Sequence, residues 1–515
     1  MTGESPVLWG LAANPALPPE LFGPLLAAAT PGNSWLAYQL ADRDDLTRPQ
    51  VLALAAFLDD GDTVAQCLAR RGLLTAEDID PAVRPDTALA LMDEWGSRTA
   101  WARVLVADPS VERRERLAEC RGLPDDVVDL LAADRDACVV TKLALSAPPE
   151  RAPLLARLAR YPHAEVRSAV AANPATPPAV LADLLLGRGA APAERCMACD
   201  ETDAGRYHQP DCGAPGADPG WRDCTDGAHE SAAADLCVQA LGNPALPADA
   251  AARFVGHPGY LVRRALAGRE DLPQRAYEDL ADAPESWVRG DLAANPAIAE
   301  PLLRRLARDA DPDVRRDAAR HPRIPLDALG PLVATTRIGS TVLPRIAAAT
   351  ADEVALLAAH RDPLLRMLVA ARGDLPGPVR DALVADPDPK VAKSAARHPG
   401  LSEAQLRAAL DRHGVQVAAR IAGNPETPPE LLEALAAYAP PVNKARREVA
   451  RHPRATAAAL RTCIAYDDTR RLAAAHPALA VGDLLPLLDH PDAVTVEAAA
   501  RNPALPPATM RTLLP

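Results

Sequence analysis

Aromatic residues are scarce in this chain of 515 residues. Phe, Trp and Tyr together make up 3% of it, although hydrophobic residues make up 48%. A core of large rings is therefore excluded, and the interior must be built from Ala, Leu and Val, whose small side chains suit closely stacked helices. No run reaches the roughly 18 consecutive apolar residues of a membrane span, which argues against a membrane protein.

Positive charge is also in short supply. The formal net charge is −13, and only four residues are Lys, at positions 142, 390, 393 and 444. Nucleic acids and anionic membranes attract clustered positive charge, so this balance argues against both as partners. The N-terminal residues show neither the basic nor the apolar region of a secretion signal, which predicts a cytoplasmic protein. The abundance of Ala, Arg and Pro is typical of GC-rich bacterial genomes.

The most informative positive feature is repetition. Close copies of one segment occur at 11–26, 170–185, 421–435 and 499–514, and the terminal copies look like ordinary repeats. An Asn-Pro or His-Pro pair anchors each unit, and adjacent pairs between Asn295 and Asn502 mostly lie 24 to 28 residues apart. Self-similarity at such a period indicates a solenoid. The sequence therefore predicts an all-α solenoid of about eighteen helix–turn–helix repeats of about 26 residues.

One repeat, at 295–321, shows how the units are built. Pro296 must end the helix that arrives at Asn295, and Asn tolerates the left-handed conformation common at helix ends. A Leu-bearing helix follows. Asp311 and Pro312 are typical of the N-cap and the first residue of the next, shorter helix. Each unit is thus expected to hold one shorter and one longer helix.

Other units carry variations of these signals. The segments 402–405 (Ser-Glu-Ala-Gln) and 427–430 (Thr-Pro-Pro-Glu) match the capping box that opens a helix. In several units an Arg replaces the Asn or His anchor, at Arg43, Arg121, Arg269 and Arg372. These degenerate anchors extend the repeats over nearly the whole chain.

The units resemble the leucine-rich repeat variant family of bacteria, whose pattern is matched best by VRSAVAANPATPPAVLADLL at 166–185. The resemblance implies a right-handed superhelix of alternating short and long helices. The Asp-Pro-Asp-Val-Arg entry at 311–315 is also similar to HEAT repeats. Both resemblances concern architecture and say little about function.

A segment of different composition, 188–231, interrupts the repeats and divides the chain into repeats 1–187, the insertion, and repeats 232–515. Met197, Tyr207 and Trp221 are its only large apolar residues, so burial alone could not offset the entropy of ordering it. It holds four of the nine cysteines and two histidines, at Cys196, Cys199, His208, Cys212, Cys224 and His229.

A C-x-x-C turn followed by further Cys and His predicts a tetrahedral metal site in a cytosolic protein. Two ligand sets fit: four thiolates, from Cys196, Cys199, Cys212 and Cys224, or three thiolates and an imidazole, from Cys196, Cys199, His208 and Cys212. Structural Zn²⁺ is the favoured ion. A cysteine-bound cluster in one member type of the resembled family implies [4Fe–4S] as the alternative. The remaining reading is that these cysteines bind nothing.

Two periodic rows of polar residues remain. His321, His398, His452 and His476 occupy the slot of the Asn anchors, and this exchange favours a helix-end role over ligand binding. An Arg recurs near the start of the shorter helices, at Arg167, Arg263, Arg289, Arg315, Arg366, Arg446 and Arg470. It is expected to tie neighbouring repeats together, although it could also line a binding face. The other cysteines, Cys67, Cys120, Cys138, Cys237 and Cys463, are expected to be small buried residues.

No glycine loop for phosphate, G-x-S-x-G or H-E-x-x-H motif is present, so the sequence favours a non-enzymatic role. A solenoid presents a long surface, and the function predicted from it is a scaffold that binds a protein or peptide on its concave face. The alternative is a HEAT-like DNA-binding protein or DNA-acting enzyme that uses an Arg-lined concave face.

Overall fold

The computed structural model describes residues 5–30, 34–57, 62–96, 98–188, 191, 193–194, 230–336, 338 and 341–514. Helices and the turns between them make up this part of the chain, and it contains no β-strand. The predicted all-α solenoid is therefore confirmed. None of the helices in the described ranges is long and apolar enough to cross a lipid bilayer.

The helices are short, because a Pro pair or a capped turn interrupts the chain at intervals of about one helix. In chain order they are α1 (Pro6–Ala12), α2 (Phe22–Ala28), α3 (Trp35–Ala41), α4 (Arg48–Ala55), α5 (Thr63–Arg70), α6 (Pro85–Trp95), α7 (Thr99–Leu105), α8 (Val111–Glu119), α9 (Asp125–Ala132), α10 (Ala137–Ser146), α11 (Ala152–Leu158), α12 (Ala164–Ala172), α13 (Pro178–Leu185), α14 (Glu230–Gly242), α15 (Ala248–Ala252), α16 (Tyr260–Ala267), α17 (Gln274–Leu280), α18 (Ser286–Ala294), α19 (Glu300–Leu306), α20 (Pro312–Arg320), α21 (Leu326–Thr335), α22 (Pro344–Ala347), α23 (Ala351–Ala358), α24 (Pro363–Ala370), α25 (Gly377–Val384), α26 (Pro389–Ala395), α27 (Glu403–His413), α28 (Val415–Ala422), α29 (Pro429–Ala436), α30 (Asn443–Arg451), α31 (Ala457–Ile464), α32 (Asp467–Ala474), α33 (Val481–Leu484), α34 (Ala493–Ala500) and α35 (Pro507–Thr512).

The chain folds as two compact units. The central unit comprises Ala69–Ile324, and the split unit comprises Met1–Leu68 together with Pro325–Pro515. In each unit the helix that precedes the anchor residue, here called the anchor helix, packs beside the anchor helix of the next repeat. These rows are α8, α10, α12, α14, α16, α18 and α20 in the central unit, and α24, α26, α28, α30, α32 and α34 in the split unit.

The core lies between the two helices of each repeat and between neighbouring repeats. In the repeat with α19 and α20, these two helices are in contact, and Leu303, Leu306, Val314 and Ala318 are each no more than 1% exposed. Truncating one buried Leu in such a core typically costs about 2–5 kcal/mol. Aliphatic side chains dominate the buried set, and Tyr277 is its largest member. The core composition therefore agrees with the expectation from the amino-acid content.

Local capping signals were predictive in two cases and misleading in one. Asp311 caps α20, where its Oδ1 accepts a 2.8 Å hydrogen bond from the Asp313 N–H, and Pro312 is the first helical residue. Ser402 and Gln405 form the predicted capping box. The predicted box at Thr427 is wrong, because this residue is buried and its hydroxyl donates to the carbonyl of Ile421, six residues earlier; Pro428 is the N-cap of α29.

The repeats on either side of the interruption stack directly on each other. Asn243, at the end of α14, donates 2.8 Å hydrogen bonds to the carbonyls of Ala171 and Asn173, which lie 72 and 70 residues earlier. The chain therefore resumes the same row of anchor helices after the insertion. Residues 195–229, which include all five residues predicted to bind metal, lie outside the described ranges.

The first anchor helix packs on the last one within the split unit. Asn14 donates to the carbonyls of Ala500 and Asn502, at 2.9 and 2.8 Å. The contact is close: a Cβ added at Gly10 would lie 2.3 Å from the Glu497 carbonyl oxygen. The N-terminal repeat thus takes the place of a repeat following α34. This contact covers repeat surfaces that would otherwise need a polar cap, which explains why the terminal repeats look ordinary.

Candidate partner-binding surface

The Asn anchors are buried structural residues. Asn295 is 3% exposed and donates to the carbonyls of Ala267 and Arg269 in the preceding repeat, while its Oδ1 accepts the Ala297 N–H at 2.8 Å. Its backbone is extended, with φ −72° and ψ 119°, so the predicted left-handed conformation is wrong. The side chain ends the helix by joining two repeats. The same pair of donor bonds is made by Asn14, Asn173, Asn243, Asn424 and Asn502.

The His anchors also join neighbouring repeats, through hydrogen bonds of the imidazole ring. In His321, Nδ1 accepts the Arg323 N–H and Nε2 lies 3.0 Å from the Asn295 carbonyl oxygen. Because a carbonyl can only accept, Nε2 must carry the proton and the ring is neutral. Burial, partly opposed by this backbone hydrogen bond, lowers the pKa of His321, and it likewise lowers the pKa of His398 and His476. The predicted structural role of this row is confirmed.

Three of the four predicted Arg anchors, Arg43, Arg269 and Arg372, also reach the preceding repeat. The prediction for Arg121 is wrong, because this residue is exposed and Cys120 is the C-cap of α8. Arg269 is 6% exposed, and its Nη1 donates to the carbonyls of Leu241 and Asn243, both at 2.9 Å. Arg43 reaches Ala12 and Asn14 in the same way. Arg269 and Arg43 each also pair with an Asp two residues later, Asp271 and Asp45 respectively. The longer Arg side chain therefore occupies the anchor position, and the Asp two residues later balances its charge.

The Arg row near the start of the anchor helices is engaged inside the protein. Arg289 Nη1 donates to the carbonyl of Ala283, six residues earlier, at 2.8 Å, and its other N–H groups bind both carboxylate oxygens of Asp309 in the next repeat. Arg366 repeats this with His360 and Asp386. In the rest of the row the guanidinium of Arg167, Arg263, Arg315 or Arg470 also donates to a carbonyl six residues earlier. Arg446 instead stacks on the Tyr466 ring at 3.5 Å.

Hydrogen bonds keep the carboxylates of these pairs charged. Burial alone would raise the pKa of Asp386, but hydrogen bonds from Arg366 and from the Asp388 N–H outweigh it and hold the pKa below its ordinary range. The pKa of Asp309 is lowered by the same balance, with Arg289 as donor. Such buried bidentate pairs fix the register between repeats. The Arg row is thus a structural element, as expected, and its guanidinium groups are already committed to the fold.

The five described cysteines are scattered through the helices. Cys120 and Cys463 are buried, as predicted, whereas Cys67, Cys138 and Cys237 are half-buried. Burial raises the pKa of the Cys463 thiol to about 11, which makes it unreactive at neutral pH. Among the described residues no group of three or more His, Cys, Asp or Glu side chains could hold a metal ion. The predicted ligands, Cys196, Cys199, His208, Cys212 and Cys224, all lie outside these ranges.

A different set of cations lies on the exposed side of the anchor helices of the split unit. Eight of these side chains form neither an ion pair nor a side-chain hydrogen bond with any residue in the described ranges: Lys390, Lys393, Arg397, Arg420, Lys444, Arg451, Arg471 and Arg501. We call this set the basic face. Among the described residues of the same helices, Glu448 and Glu497 are the acids without an ion pair, and the N-cap acids Asp388 and Asp492 bind backbone N–H groups of α26 and α34. The basic face is therefore positive on a protein whose net charge is −13.

The basic face contains two clefts of different charge. Four of its cations, Lys390, Lys393, Arg397 and Arg420, line a cleft of about 160 Å³ with Met367, Ala371 and Ser394 and no acid. The second, of about 450 Å³, is lined by three Arg and three Asp residues together with Leu472 and Val494. Sequence reasoning missed this face. The available signal was that three of the four lysines fall between positions 390 and 444.

The chain was compared with protein-family models, curated proteins and solved structures. No protein-family model matches the chain, and no curated protein matches it. Among solved structures, the chain is similar to one described as "a leucine-rich repeat variant with a novel repetitive protein structural motif". The match has 20% sequence identity and a TM-score of 0.23, and it covers 52% of this chain and 85% of the other.

Proposed function

We propose that the chain is a non-enzymatic repeat scaffold that binds an acidic protein or peptide segment along the basic face. The observation that carries the proposal is the set of eight cations without ion pairs on and directly after successive anchor helices. Other basic side chains, such as Arg289 and Arg366, are consumed by contacts within and between repeats. Charge complementarity therefore points to an anionic partner.

The surroundings of the basic face favour a polypeptide. Val494 is 48% exposed and lies with Leu472 in the mixed cleft, so apolar side chains of a partner could pack beside its acidic ones. Stacked helices repeat these features along the row, which suits an extended segment. Interfaces of this kind combine apolar contacts with charged pairs at their edge. The proposed occupant is thus a segment rich in Glu or Asp with interspersed apolar residues.

The experiment uses the full-length protein and a fluorescein-labelled peptide of alternating Glu and Leu, followed by fluorescence anisotropy. The same peptide with Gln in place of Glu should bind much more weakly, and binding of the Glu peptide should fall as salt is raised. The double variant Lys444→Gln/Arg451→Gln should weaken binding about five- to tenfold, because two exposed charge pairs are lost. Neither residue lines the cleft that holds Lys390.

A matched control removes two cations that already have acidic partners. Lys142 pairs with Glu119 and Arg103 with Asp126, both at 2.7 Å in the central unit. The variant Lys142→Gln/Arg103→Gln should bind as the wild type does. Equal weakening by both double variants, or equal binding of the Glu and Gln peptides, would refute the proposal. Tight, salt-sensitive binding of duplex DNA instead of the peptide would support the DNA-binding alternative.

We also propose that the segment 188–231 binds one structural Zn²⁺ through Cys196, Cys199 and Cys212, with His208 or Cys224 as the fourth ligand. The support is the C-x-x-C spacing within a segment that is poor in apolar residues. When bound, the ion would supply folding energy that burial cannot, since structural zinc contributes on the order of 10 kcal/mol to small folds.

Elemental analysis of anaerobically purified protein tests the metal. One zinc per chain is expected, lost in Cys196→Ser and Cys199→Ser but kept in Cys463→Ser, whose sulfur is buried in the core. If iron with sulfide is found instead of zinc, the [4Fe–4S] alternative is supported. A protein without metal, with thiols at 196, 199, 212 and 224 freely reactive, would show that this segment has no metal site.

A further inference from the structure

The small cleft between α24, α26 and α28 carries four positive charges and no negative one. Lys390, Lys393 and Arg397 come from α26 and the residues after it, and Arg420 comes from α28. We propose that this cleft binds a phosphate monoester carried by the partner segment. The inference rests on the proposed function and deepens it, because it makes the partner a phosphorylated one.

Neighbouring acids cannot neutralise the cleft. Asp386 is 7% exposed and is held by both N–H groups of the Arg366 fork. Asp388 caps α26, where its carboxylate accepts the backbone N–H of Lys390 at 2.8 Å. Neither of these acids lines the cleft. The cleft therefore keeps its positive charge within the described part of the chain, and a bound anion would balance it.

One cation of the cleft lies where it disfavours its own helix. Lys390 is in the first turn of α26, where the helix dipole disfavours a cation. An anion bound next to Lys390 would relieve this effect.

A homologous helix in the central unit shows what a neutralised version looks like. Counting back from the His anchors, the positions of Lys390, Lys393, Ser394 and Arg397 in α26 are held in α20 by Asp313, Arg316, Asp317 and Arg320. There each Arg pairs with the Asp three residues before it, at 2.5 and 3.3 Å. In α26 a Lys and a Ser replace those two acids. Helix α26 thus differs from α20 at the two positions that carry the pairing acids of α20.

The size and charge of the cleft select the ligand. Its volume of about 160 Å³ is below the roughly 300–1,000 Å³ of drug-sized ligand sites, so it suits a compact group. A phosphate monoester carries a charge of about −1.5 to −2 and three acceptor oxygens, enough to engage several cations at once. A single carboxylate has one charge and two oxygens. The cleft is therefore matched to a dianion, and the flanking Met367 and Ala371 can contact an attached side chain.

The test compares three labelled Glu-Leu peptides that differ at one central position, which is Ser, phosphoserine or Glu, by anisotropy with the full-length protein. The phosphoserine peptide should bind at least about tenfold more tightly than the Ser peptide, and more tightly than the Glu peptide. Inorganic phosphate is added as a competitor to separate the two sources of this chemistry. Displacement should require far more free phosphate than phosphopeptide, since the peptide adds contacts along the basic face.

The decisive variant is Lys390→Asp/Ser394→Asp, which gives α26 the charge pattern that α20 already uses and should leave the thermal midpoint unchanged. Because Lys390 belongs to the basic face, this variant should weaken the binding of both peptides, and the readout is the ratio of their affinities. The preference for the phosphoserine peptide over the Ser peptide should be abolished. Lys142→Gln should keep the preference. Equal binding of the Ser and phosphoserine peptides would overturn the inference but leave the proposed function intact, whereas failure of all three peptides would overturn both. Displacement by equal concentrations of inorganic phosphate would overturn the partner-borne source.

Discussion

Helices α20 and α26 are built on one plan and differ in what they offer to solvent. Each begins with an Asp N-cap followed by Pro and ends at a buried His anchor, His321 or His398. On the exposed side, α20 pairs each of its cations with an acid, whereas the cations of α26 have no such pairs in the described part of the chain. The buried positions thus define the repeat, and the exposed positions are free to define a binding site.

The largest effect is expected where a basic side chain belongs to the buried plan. Arg366→Ala would leave Asp386 charged and nearly buried without its guanidinium partner. Loss of one partner of such a pair costs about 3–5 kcal/mol. Lys393→Ala, on the exposed side of the next anchor helix, should change stability by less than about 0.5 kcal/mol. The urea midpoints of unfolding, followed by circular dichroism, measure both losses of stability. Equal midpoints for the two variants would show that the two cations contribute equally to stability.

A second large effect is expected at an Asn anchor. Asn424 is fully buried, and Asn424→Ala would leave the carbonyls of Ala396 and His398 without their donor. The expected loss is about 1–3 kcal/mol. Asn424→His should recover much of it, because His fills the same slot at His321 and His452. Thermal midpoints decide: if His is no better than Ala, the two anchor types are not equivalent.

Substitution of Gly10 should act through the contact between the chain's first and last anchor helices. A Cβ at this position would approach the Glu497 carbonyl oxygen and, at 2.6 Å, the Ala500 Cβ. Gly10→Ala is expected to cost about 1–3 kcal/mol by overpacking and to speed hydrogen exchange in α1 and α34. Gly23→Ala is the control: it has nothing within 4 Å and should be neutral or slightly stabilising. Unchanged exchange in Gly10→Ala would show that the ends are not packed together.

The smallest effect is a pH dependence of the His anchors. Burial keeps the pKa of His321, His398 and His476 below the ordinary value of about 6.5, so the folded state binds fewer protons than the unfolded state. Their contribution to stability is therefore complete above that value and is lost as pH falls through it towards the lower folded-state pKa. The Asp309 and Asp386 pairs weaken only in more acidic solution, since both pKa values lie below the ordinary Asp range.

A triple variant isolates the His contribution. His321→Asn/His398→Asn/His476→Asn should keep the anchor bonds, because Asn makes them in other repeats. Its thermal midpoint should fall less than that of the wild type between neutral pH and pH near 5. If the thermal midpoints of the wild type and the variant depend on pH in the same way, groups other than these three histidines cause the pH dependence. The comparison needs no change in the exposed residues of the basic face.

Much of the repeat could be predicted because its signals are local. Pro312 and its N-cap Asp311 act through the backbone of their own helix, and so does the capping box that opens at Ser402. The prediction for Thr427 failed because a buried hydroxyl found a carbonyl six residues earlier that a sequence pattern does not display. The predicted left-handed Asn295 failed for a related reason, since its partners are carbonyls of another repeat, 26 and 28 residues away.

The sequence by itself determined the helical class, the period and the helix starts at Asp311 and Ser402, because these depend on residues within a turn or two of each other. Only the tertiary structure decided which polar residues are spent on the fold. Asn14 finds its acceptors 486 and 488 residues away, and Arg366 finds Asp386 in the following repeat. Pairing across such distances depends on how repeats stack. The cations of the basic face could therefore be recognised only after the ion pairs within and between repeats had been traced.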